Sequence, residues 1–327
     1  MMMMLRFGRF ALVASAVAMS TGCGGTRGQT TVPGLPSYVA ASRVSGDLLY
    51  VAHTEKLGAN RYRGLLSVLT FPQGKPVTTI DLPGLPTGSC ADAFGNLWVV
   101  AFHGHRHGAY EYAPGGTSPI STIYIPHTGG TTTSCAVDPT TGNLAVLSGF
   151  YEGGAPSHID IWPGGRAGKP ISYPIKSSPI ACGYDASGNL FVDGYVGSTV
   201  IFQLFELPKG SDSIEYIKSG LYNFPGGIQW DGEYLAVFSG PVLYRLSVSG
   251  SVAHIVKTYR PRHAHSETPL AIADGFMVAD SGGYGNGVLL WRYPGGGKAT
   301  KRLAHLEYGA RGLTVTAGSS PRHDESP

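Results

Sequence analysis

Charged side chains are scarce in this sequence, and they form no dense basic cluster. Asp, Glu, Lys and Arg make up 14% of the 327 residues, and the formal net charge is +3. A surface that follows a phosphate backbone needs clustered Lys and Arg side chains. We therefore expect no nucleic-acid partner.

The chain also lacks an apolar run long enough to cross a membrane. The run at 10–19 has about ten residues, whereas a spanning helix needs about 20. Two arginines precede this run, and Ser20-Thr21-Gly22-Cys23 follows it. This order predicts a signal peptide over residues 1–22, of the lipoprotein type in which Cys23 is lipidated. Cleavage by the ordinary signal peptidase is the alternative. In both cases we expect export to the periplasm or outer cell envelope, either secreted or with membrane contact through the lipid anchor only.

No segment shows the apolar period of an amphipathic helix, and two short turn markers recur instead. The first is a glycine turn before an alternating apolar run, as in Gly188-Asn189-Leu190-Phe191-Val192. Such turns are typical of hairpins because glycine and asparagine tolerate positive φ. The six turn glycines are 43 to 49 residues apart: Gly46, Gly95, Gly142, Gly188, Gly232 and Gly275.

The second marker is a Pro-Gly turn that ends a later strand, as in Trp162-Pro163-Gly164-Gly165. Each repeat therefore contains four strands, which in the fourth repeat are 180–184, 190–193, 203–207 and 214–217. Four strands at this period make one propeller blade. The sequence predicts an all-β fold: a single six-bladed β-propeller over residues 37–317, with four antiparallel strands per blade.

The ring of blades must close, and two segments compete for the closing position. Residues 312–317 have the pattern of an inner strand with no hairpin behind it, and we expect this C-terminal strand to complete the first blade. Residues 38–42 are the competing segment. Residues 23–36 are expected to form a flexible tether, and 318–327 a disordered tail.

The segment Pro179 to Asp193, with the pattern Pro-x-x-Cys-Gly-Tyr-Asp-Ala-Ser-Gly-Asn-Leu-Phe-Val-Asp, resembles the NHL repeat. Segments 86–101 and 224–237 resemble it more loosely. The chain is also similar to the six-bladed group that includes gluconolactonase-type and streptogramin-lyase-type propellers. The resemblance covers residues 37–317 and concerns the repeat, not an active site. It implies, as one alternative, a metal-dependent lactonase-like or lyase-like enzyme at the channel mouth with a divalent metal as cofactor.

Loops of variable length are expected on one face of the ring, around the mouth of its central channel. They lie at 53–64, 102–108, 148–157, 193–200, 257–269 and 280–287. Their Tyr, His and Gly content suits a neutral polar ligand such as a sugar or peptide. The candidate ligand-binding residues are His103, His105, His107, Tyr151, Glu152, Asp193, Tyr195, His263, His265, Glu267, Asp280 and Tyr284.

Two sets within these loops are candidates for metal binding. His103, His105 and His107 alternate, so an extended segment would aim their imidazoles to one side. A solvated loop tip is the alternative, and we prefer it because no nearby Cys or carboxylate completes a ligand set. Asp193 and Asp280 end second strands at matching positions, where structural hydrogen bonds are the preferred interpretation. The gluconolactonase-type site also needs an early Glu, and Glu55 is expected in a loop, not on a strand.

Three cysteines occupy nearly the same point on the first strands of consecutive repeats. An exported protein permits a disulfide, so one adjacent pair among Cys90, Cys135 and Cys182 could close. We prefer three small buried thiols, because the inner strands of adjacent blades are often too far apart for a bridge.

These observations leave three functions open. The preferred one is a non-catalytic binding module that recognises a polymer, peptide or protein through its loop-rich face. The enzyme described above is the second, and a scaffold with no small ligand is the third.

Overall fold

The computed structural model describes residues 46–126, 130–149, 157–196, 201–265, 269–282 and 287–316. In this part of the chain, strands form six four-stranded antiparallel sheets, and the one helical element is a 3-10 turn at Pro163–Gly165. None of the described residues belongs to a helix long and apolar enough to cross a bilayer.

The strands follow one another blade by blade. Blade 1 contains β1 (Leu48–Gly58), β2 (Arg61–Thr70) and β3 (Pro76–Asp81). Blade 2 contains β4 (Leu85–Ala91), β5 (Leu97–His103), β6 (Arg106–Tyr112) and β7 (Ser121–Ile125). Blade 3 contains β8 (Thr131–Val137), β9 (Leu144–Gly149), β10 (Ser157–Trp162) and β11 (Ile171–Ile175). Blade 4 contains β12 (Ser178–Tyr184), β13 (Leu190–Val196), β14 (Ile201–Leu207) and β15 (Glu215–Ile217). Blade 5 contains β16 (Pro225–Trp230), β17 (Leu235–Ser239), β18 (Val242–Ser249) and β19 (Val252–Tyr259). Blade 6 contains β20 (Leu270–Ala273), β21 (Phe276–Asp280), β22 (Val288–Arg292) and β23 (Lys301–Ala304).

The missing strand of blade 1 comes from the other end of the propeller. Strand β24 (Ala310–Thr316) pairs antiparallel with β1, from Leu48 opposite Thr316 to His53 opposite Ala310. The sheet order is β24-β1-β2-β3, so β24 takes the inner position that β4, β8, β12, β16 and β20 hold in the other blades. The predicted closure by a C-terminal strand is confirmed. The competing segment 38–42 lies outside the described residues.

In blades 2 to 5, an aspartate that the sequence analysis did not single out holds the turn between the inner and second strands. In blade 4 the Asp185 carboxylate accepts the backbone N–H groups of Ser187 and Asn189, each at 2.9 Å. Gly188 has φ +89°, which favours glycine at this point. Asp92, Asp138 and Asp231 hold the corresponding turns of blades 2, 3 and 5. These turns lie on the face of the ring opposite the channel mouth.

The hydrophobic core is divided among the blade interfaces. Six clusters of buried side chains occur, one between each pair of neighbouring blades. The cluster between blades 6 and 1 includes Leu313 of β24 together with Leu49 and Val278. The closing strand therefore buries apolar surface as well as forming a backbone ladder, and both terms stabilise the closed ring.

The predicted loop at 53–64 is instead a hairpin. The segment 53–64 continues β1 and β2 as a two-stranded extension on the channel-mouth side, and Glu55 pairs with Arg63 across it. The Arg63 Nε donates to Glu55 Oε2 at 2.5 Å in an exposed ion pair. The expectation that Glu55 lies in a loop was wrong, because Asn60 turns the chain at φ +59° and Glu55 pairs with Arg63 across the two strands.

Candidate functional site at the channel mouth

A cavity of about 580 Å³ occupies the end of the central channel at which the inner strands begin. All six inner strands contribute to its wall. It opens on the expected loop-rich face, because Phe102 at the end of β5 and Phe224 and Tyr308 just before β16 and β24 line it as well. Each inner strand is the edge strand of its sheet, so alternate backbone N–H and C=O groups face the channel.

Hydroxyl groups make up much of the cavity wall and join neighbouring blades. Thr87 Oγ1 lies 3.1 Å from Thr132 Oγ1. Ser89 Oγ lies 2.7 Å from Thr314 Oγ1, which ties blade 2 to the closing strand. The Thr133 hydroxyl donates to the carbonyl of Pro179 at 3.1 Å. These bonds fix the inner strands in register, so the cavity wall is preformed.

Close backbone approach explains why small residues occur on these strands. A Cβ added to Gly88 would lie 2.9 Å from the Cα of Ser134, and one added to Gly312 would lie 2.7 Å from the backbone nitrogen of Ser89. Real Cβ atoms do not tolerate such distances to backbone atoms, so a larger residue at either position would push two blades apart.

Aromatic rings surround the mouth of the cavity. Tyr62, on the β1–β2 extension, makes an edge contact with Tyr308 at 5.8 Å between ring centroids. Phe102 stacks on His107 at 5.7 Å. Tyr195 packs behind Phe224 at 5.2 Å. Edge and offset contacts of this kind hold the rings in fixed orientations, which suits them to contact a ligand.

Arg311 on β24 is the single charged side chain among the described residues that line the cavity, and no Asp, Glu or His is among them. Arg311 is exposed, and none of the ion pairs in the described part of the chain involves it. The site therefore combines hydroxyls, backbone edges and one guanidinium, and these groups bind ligands by hydrogen bonds and charge.

The three alternating histidines do not converge. A two-residue turn, Gly104-His105, joins β5 to β6, with His103 opposite Arg106 and Phe102 opposite His107. Adjacent residues of a strand point to opposite faces, so His103 and His107 lie on opposite faces of the hairpin. His103 and His105 are exposed, whereas His107 is buried with its Nδ1 3.2 Å from Thr132 Oγ1. The expected extended segment is a tight hairpin.

His263 and His265 also alternate in the sequence, in the loop before blade 6, and backbone geometry separates them as well. His263 has φ +70° and is exposed, which breaks the extended alternation with His265. The ring of His265 lies close to Gly282, and a positive charge on it would lower the pKa of the nearby Asp280 carboxyl. His265 and Asp280 are thus brought together at the junction of blade 6 with the loop that precedes it.

Asp193 and Asp280 are buried and bind backbone amides. Asp280 Oδ2 accepts the N–H of Ala310 at 2.8 Å, and its Oδ1 accepts that of Gly282 at 3.2 Å. Asp193 Oδ1 accepts the N–H of Ala181 at 2.8 Å, whereas no described residue donates a well-aligned hydrogen bond to its Oδ2. Burial raises the pKa of both carboxyls, that of Asp193 well above its ordinary value, and the N–H bonds oppose the rise only in part.

Other candidates are buried or lie outside the described residues. Tyr195 is 6% exposed within β13, which extends to Val196, so it supports Phe224 from behind the mouth. Tyr151, Glu152, Glu267, Tyr284 and Cys23 lie outside the described residues. No group of three or more His, Cys, Asp or Glu side chains in the described ranges is arranged to hold a metal ion.

A disulfide joins the inner strands of blades 2 and 3. Cys90 on β4 and Cys135 on β8 are bridged, with their Cα atoms 5.7 Å apart. The preference for three unbridged thiols was wrong for this pair, because the glycine contact of Gly88 with β8 brings the two strands together. Cys182 is a buried free thiol, and burial raises its pKa to about 12.

A second cavity, of about 510 Å³, lies between blades 4 and 5 near the opposite face. Four carboxylates line it: Asp185, Glu206, Glu215 and Glu233. Burial raises the pKa of Glu206, and the negative charges of Asp185 and Glu215 raise it further. The two cavities thus differ in charge, since the one at the channel mouth carries the Arg311 cation.

The sequence contained a signal for the channel wall that our loop-based reasoning missed. Four consecutive hydroxyl residues, Thr131-Thr132-Thr133-Ser134, stand where an inner strand begins, and Thr87-Gly88-Ser89 stands on the neighbouring one. A buried strand normally carries apolar residues there. Hydroxyl and glycine residues at matching points of several repeats indicate a polar channel.

Comparisons with known proteins place the fold but no family. The chain is a six-bladed β-propeller. It is similar to a structure of a nidogen/laminin complex, with TM-score 0.57 and 10% identity over 83% of this chain and 98% of that chain. It is similar to TolB from Acinetobacter baumannii, with TM-score 0.51 and 12% identity over 83% of this chain and 66% of that one. It is also similar to Kuenenia stuttgartiensis hydrazine synthase, with TM-score 0.51 and 12% identity over 71% of this chain and 80% of that one. No family model and no curated protein match the sequence.

Proposed function

We propose that this propeller is an exported, membrane-anchored binding module that takes a polar ligand into the channel mouth. The observation that carries the proposal is the preformed cavity of about 580 Å³, bounded by all six inner strands. Small-ligand sites have volumes of about 300 to 1,000 Å³ and a few fixed polar groups. The hydroxyl and backbone wall supplies such groups, and the aromatic rim supplies flat contact surfaces. The ligand is a peptide, a polymer segment or part of a partner protein.

The residues give less support to a lactonase-like or lyase-like enzyme. A general acid or base must reach its substrate, and the described cavity wall contains no Asp, Glu or His. Asp280 uses both oxygens on backbone amides, and Asp193 is fully buried. Measuring the divalent-metal content after gentle purification tests this alternative. A stoichiometric metal lost on replacing Asp193 or Asp280 would favour the enzyme.

The export and anchoring parts of the proposal depend on the N-terminal sequence. The basic start, the short apolar run and the position of Cys23 support lipidation and contact with the membrane through the lipid alone. Expression of the chain and its Cys23→Ser variant in a bacterium with labelled palmitate tests this. We expect label and membrane fractionation in the first and neither in the second. Label in both would contradict lipidation at Cys23.

The binding site can be tested by filling the channel mouth. Thr131 lines the cavity and is exposed, so Thr131→Trp should block it without removing a buried hydrogen bond. Thr79 is exposed on the outer strand β3, and Thr79→Trp is the matched control. Wild type and both variants would be screened on peptide and glycan arrays. We expect ligands that bind wild type and the control but not Thr131→Trp. Equal binding by all three proteins would show that the cavity is not the site.

A further inference from the structure

Arg311 gives the channel mouth a charge for which the described part of the chain supplies no counter-ion. It lies next to Ala310, the first residue of the closing strand, so its backbone is anchored by the Asp280 bond to that residue. The side chain lines the cavity and forms none of the ion pairs seen among the described residues. A guanidinium stays protonated throughout the physiological range.

The groups around Arg311 are neutral hydrogen-bonding groups. The hydroxyl residues of the cavity wall include Thr54, Thr131 and Thr133. Backbone edges of the inner strands add further donors and acceptors. Since no described carboxylate lines the cavity, the guanidinium is available to an anionic group of a ligand. Planar guanidinium groups bind carboxylates through two parallel hydrogen bonds, stronger than bonds between neutral groups.

We propose that the channel mouth binds a ligand carboxylate, held by Arg311, while the strand edges and hydroxyls bind the neutral remainder of the ligand. This inference rests on the proposed binding function. The carboxylate belongs either to the C-terminus of a peptide or to a small organic acid. A phosphate group is a poorer match, because dianions are usually met by several cations or a helix N-terminus, and the described wall offers one cation and no helix.

The test compares labelled tetrapeptide mixtures that differ only at the C-terminus. One mixture has a free carboxylate and the other an amide, and binding to the full-length protein is measured by fluorescence anisotropy. We expect the free acids to bind about tenfold more tightly than the amides, as a charge-assisted pair at a partly solvated site implies. Arg311→Gln should abolish this difference. Arg166→Gln, on an exposed turn between β10 and β11, should retain it.

Competition identifies the source of the carboxylate. Displacement by acetylated single amino acids or succinate at similar concentrations would assign the site to small organic acids. Displacement by longer peptide acids alone would assign it to a peptide C-terminus. Displacement by inorganic phosphate as effective as by carboxylates would overturn the proposal.

Two further results would overturn it, and they separate its failure from that of the binding function. Equal binding of acids and amides, or no binding of either at millimolar concentration, would refute the carboxylate site. If an array ligand is lost in Thr131→Trp but kept in Arg311→Gln, the channel binds a ligand without this contact. Circular dichroism and melting of Arg311→Gln and Arg311→Lys confirm that each variant folds, and the Lys variant should retain part of the preference.

Discussion

The carboxylate of Asp280 accepts the backbone N–H of Ala310 at 2.8 Å, and this bond joins blade 6 to the strand that closes the ring. Both oxygens of Asp280 are occupied, since Gly282 donates to the other at 3.2 Å. The bond to Ala310 is buried, so water cannot replace it at low cost.

Replacing Asp280 by Asn should destabilise the propeller. An amide nitrogen cannot accept an N–H bond, so one buried donor loses its partner and an N–H group faces another. We expect the free energy of unfolding to fall by about 1 to 3 kcal/mol, measured by urea denaturation at neutral pH. Amide exchange should accelerate first at residues 310–316. Unchanged stability and amide exchange would show that the hydrogen bond between Asp280 and Ala310 contributes little.

Replacing Asp193 by Asn should not carry the same cost at neutral pH, because its Oδ2 accepts no well-aligned hydrogen bond from the described residues. Burial raises its folded-state pKa well above 3.8, so the folded protein binds the proton more tightly than the unfolded chain. This contribution to stability is complete at acid pH and is lost as pH rises through the folded pKa. Asp193→Asn removes the titration. Its stability relative to wild type should therefore rise with pH, by up to about 1.4 kcal/mol per unit within that window.

Urea denaturation of both proteins between pH 4.5 and 8.5, roughly the range in which a raised carboxyl titrates, measures this difference. Asp280→Asn is the comparison: the pKa of Asp280 is raised less, so its relative stability should rise less with pH, and the lost hydrogen bond should keep it below wild type at neutral pH. Parallel profiles for wild type and Asp193→Asn would contradict the assigned pKa shift.

The fold was largely predictable, because each turn is determined by a short local sequence and that sequence recurs in six repeats. Gly188 and its equivalents specify the hairpins, and the apolar residue pattern at 190–192 specifies the strand that follows. Closure by β24 was predictable as well, since residues 312–317 have the pattern of an inner strand with no hairpin behind it. Its start at Ala310 was not, because that residue is fixed by the contact with Asp280 from another blade.

The candidate site was less predictable, because its side chains meet through geometry that no short pattern records. His103, His105 and His107 alternate in the sequence whether the segment is an extended loop or a hairpin. The two structures differ by the two-residue turn at Gly104-His105, which the alternation does not reveal. Arg311 is one arginine among many in the sequence. Its significance depends on the strands that surround it, which come from five other blades.

The Cys90–Cys135 bridge should contribute to stability by restraining the unfolded chain. The two residues are separated by 45 positions, and a loop of that size corresponds to about 4 kcal/mol in the chain-entropy account. Double replacement by Ala should lower the free energy of unfolding by about 2 to 4 kcal/mol. Cys182→Ala is the control for loss of a thiol. Equal unfolding curves with and without reductant would argue against the bridge.

Cys182 should resist thiol reagents while the protein is folded. Its side chain is buried, with 6% of the residue exposed, and its raised pKa leaves almost no thiolate at neutral pH. In a Cys23→Ser background, a colorimetric thiol assay should find no reactive thiol in the native protein and one after unfolding without reductant. Rapid native labelling of Cys182 would contradict its placement in the interface of blades 3 and 4.

Arg245 and Asp231 form the most buried ion pair of the described residues. Arg245 Nε donates to Asp231 Oδ2 at 2.6 Å, and the hydroxyl of Tyr293, from the next blade, donates to the same oxygen. Burial alone would raise the pKa of Asp231, but these bonds outweigh it and the pKa is lowered. The resulting stabilisation is present at neutral pH and is lost as pH falls through the folded pKa.

Arg245→Ala should therefore lower the free energy of unfolding by about 2 to 3 kcal/mol at pH 7, with a smaller difference from wild type in acid. Arg63→Ala is the control, because the Arg63–Glu55 pair is exposed and should contribute little. Urea denaturation at the two pH values measures both. The Arg245 guanidinium also lies over the Tyr234 ring, 4.5 Å from its centroid. A pH-independent effect of Arg245→Ala would mean that loss of this packing, not of the ion pair, is responsible.

The pairing of Leu48 with Thr316 makes the channel-mouth cavity depend on the strand that folds into the ring last in chain order. Until the segment 310–316 pairs with β1, the first blade has an open inner edge, and the channel lacks its sixth wall and Arg311. Under the proposed binding function, a chain truncated before this segment would therefore bind no ligand in the channel.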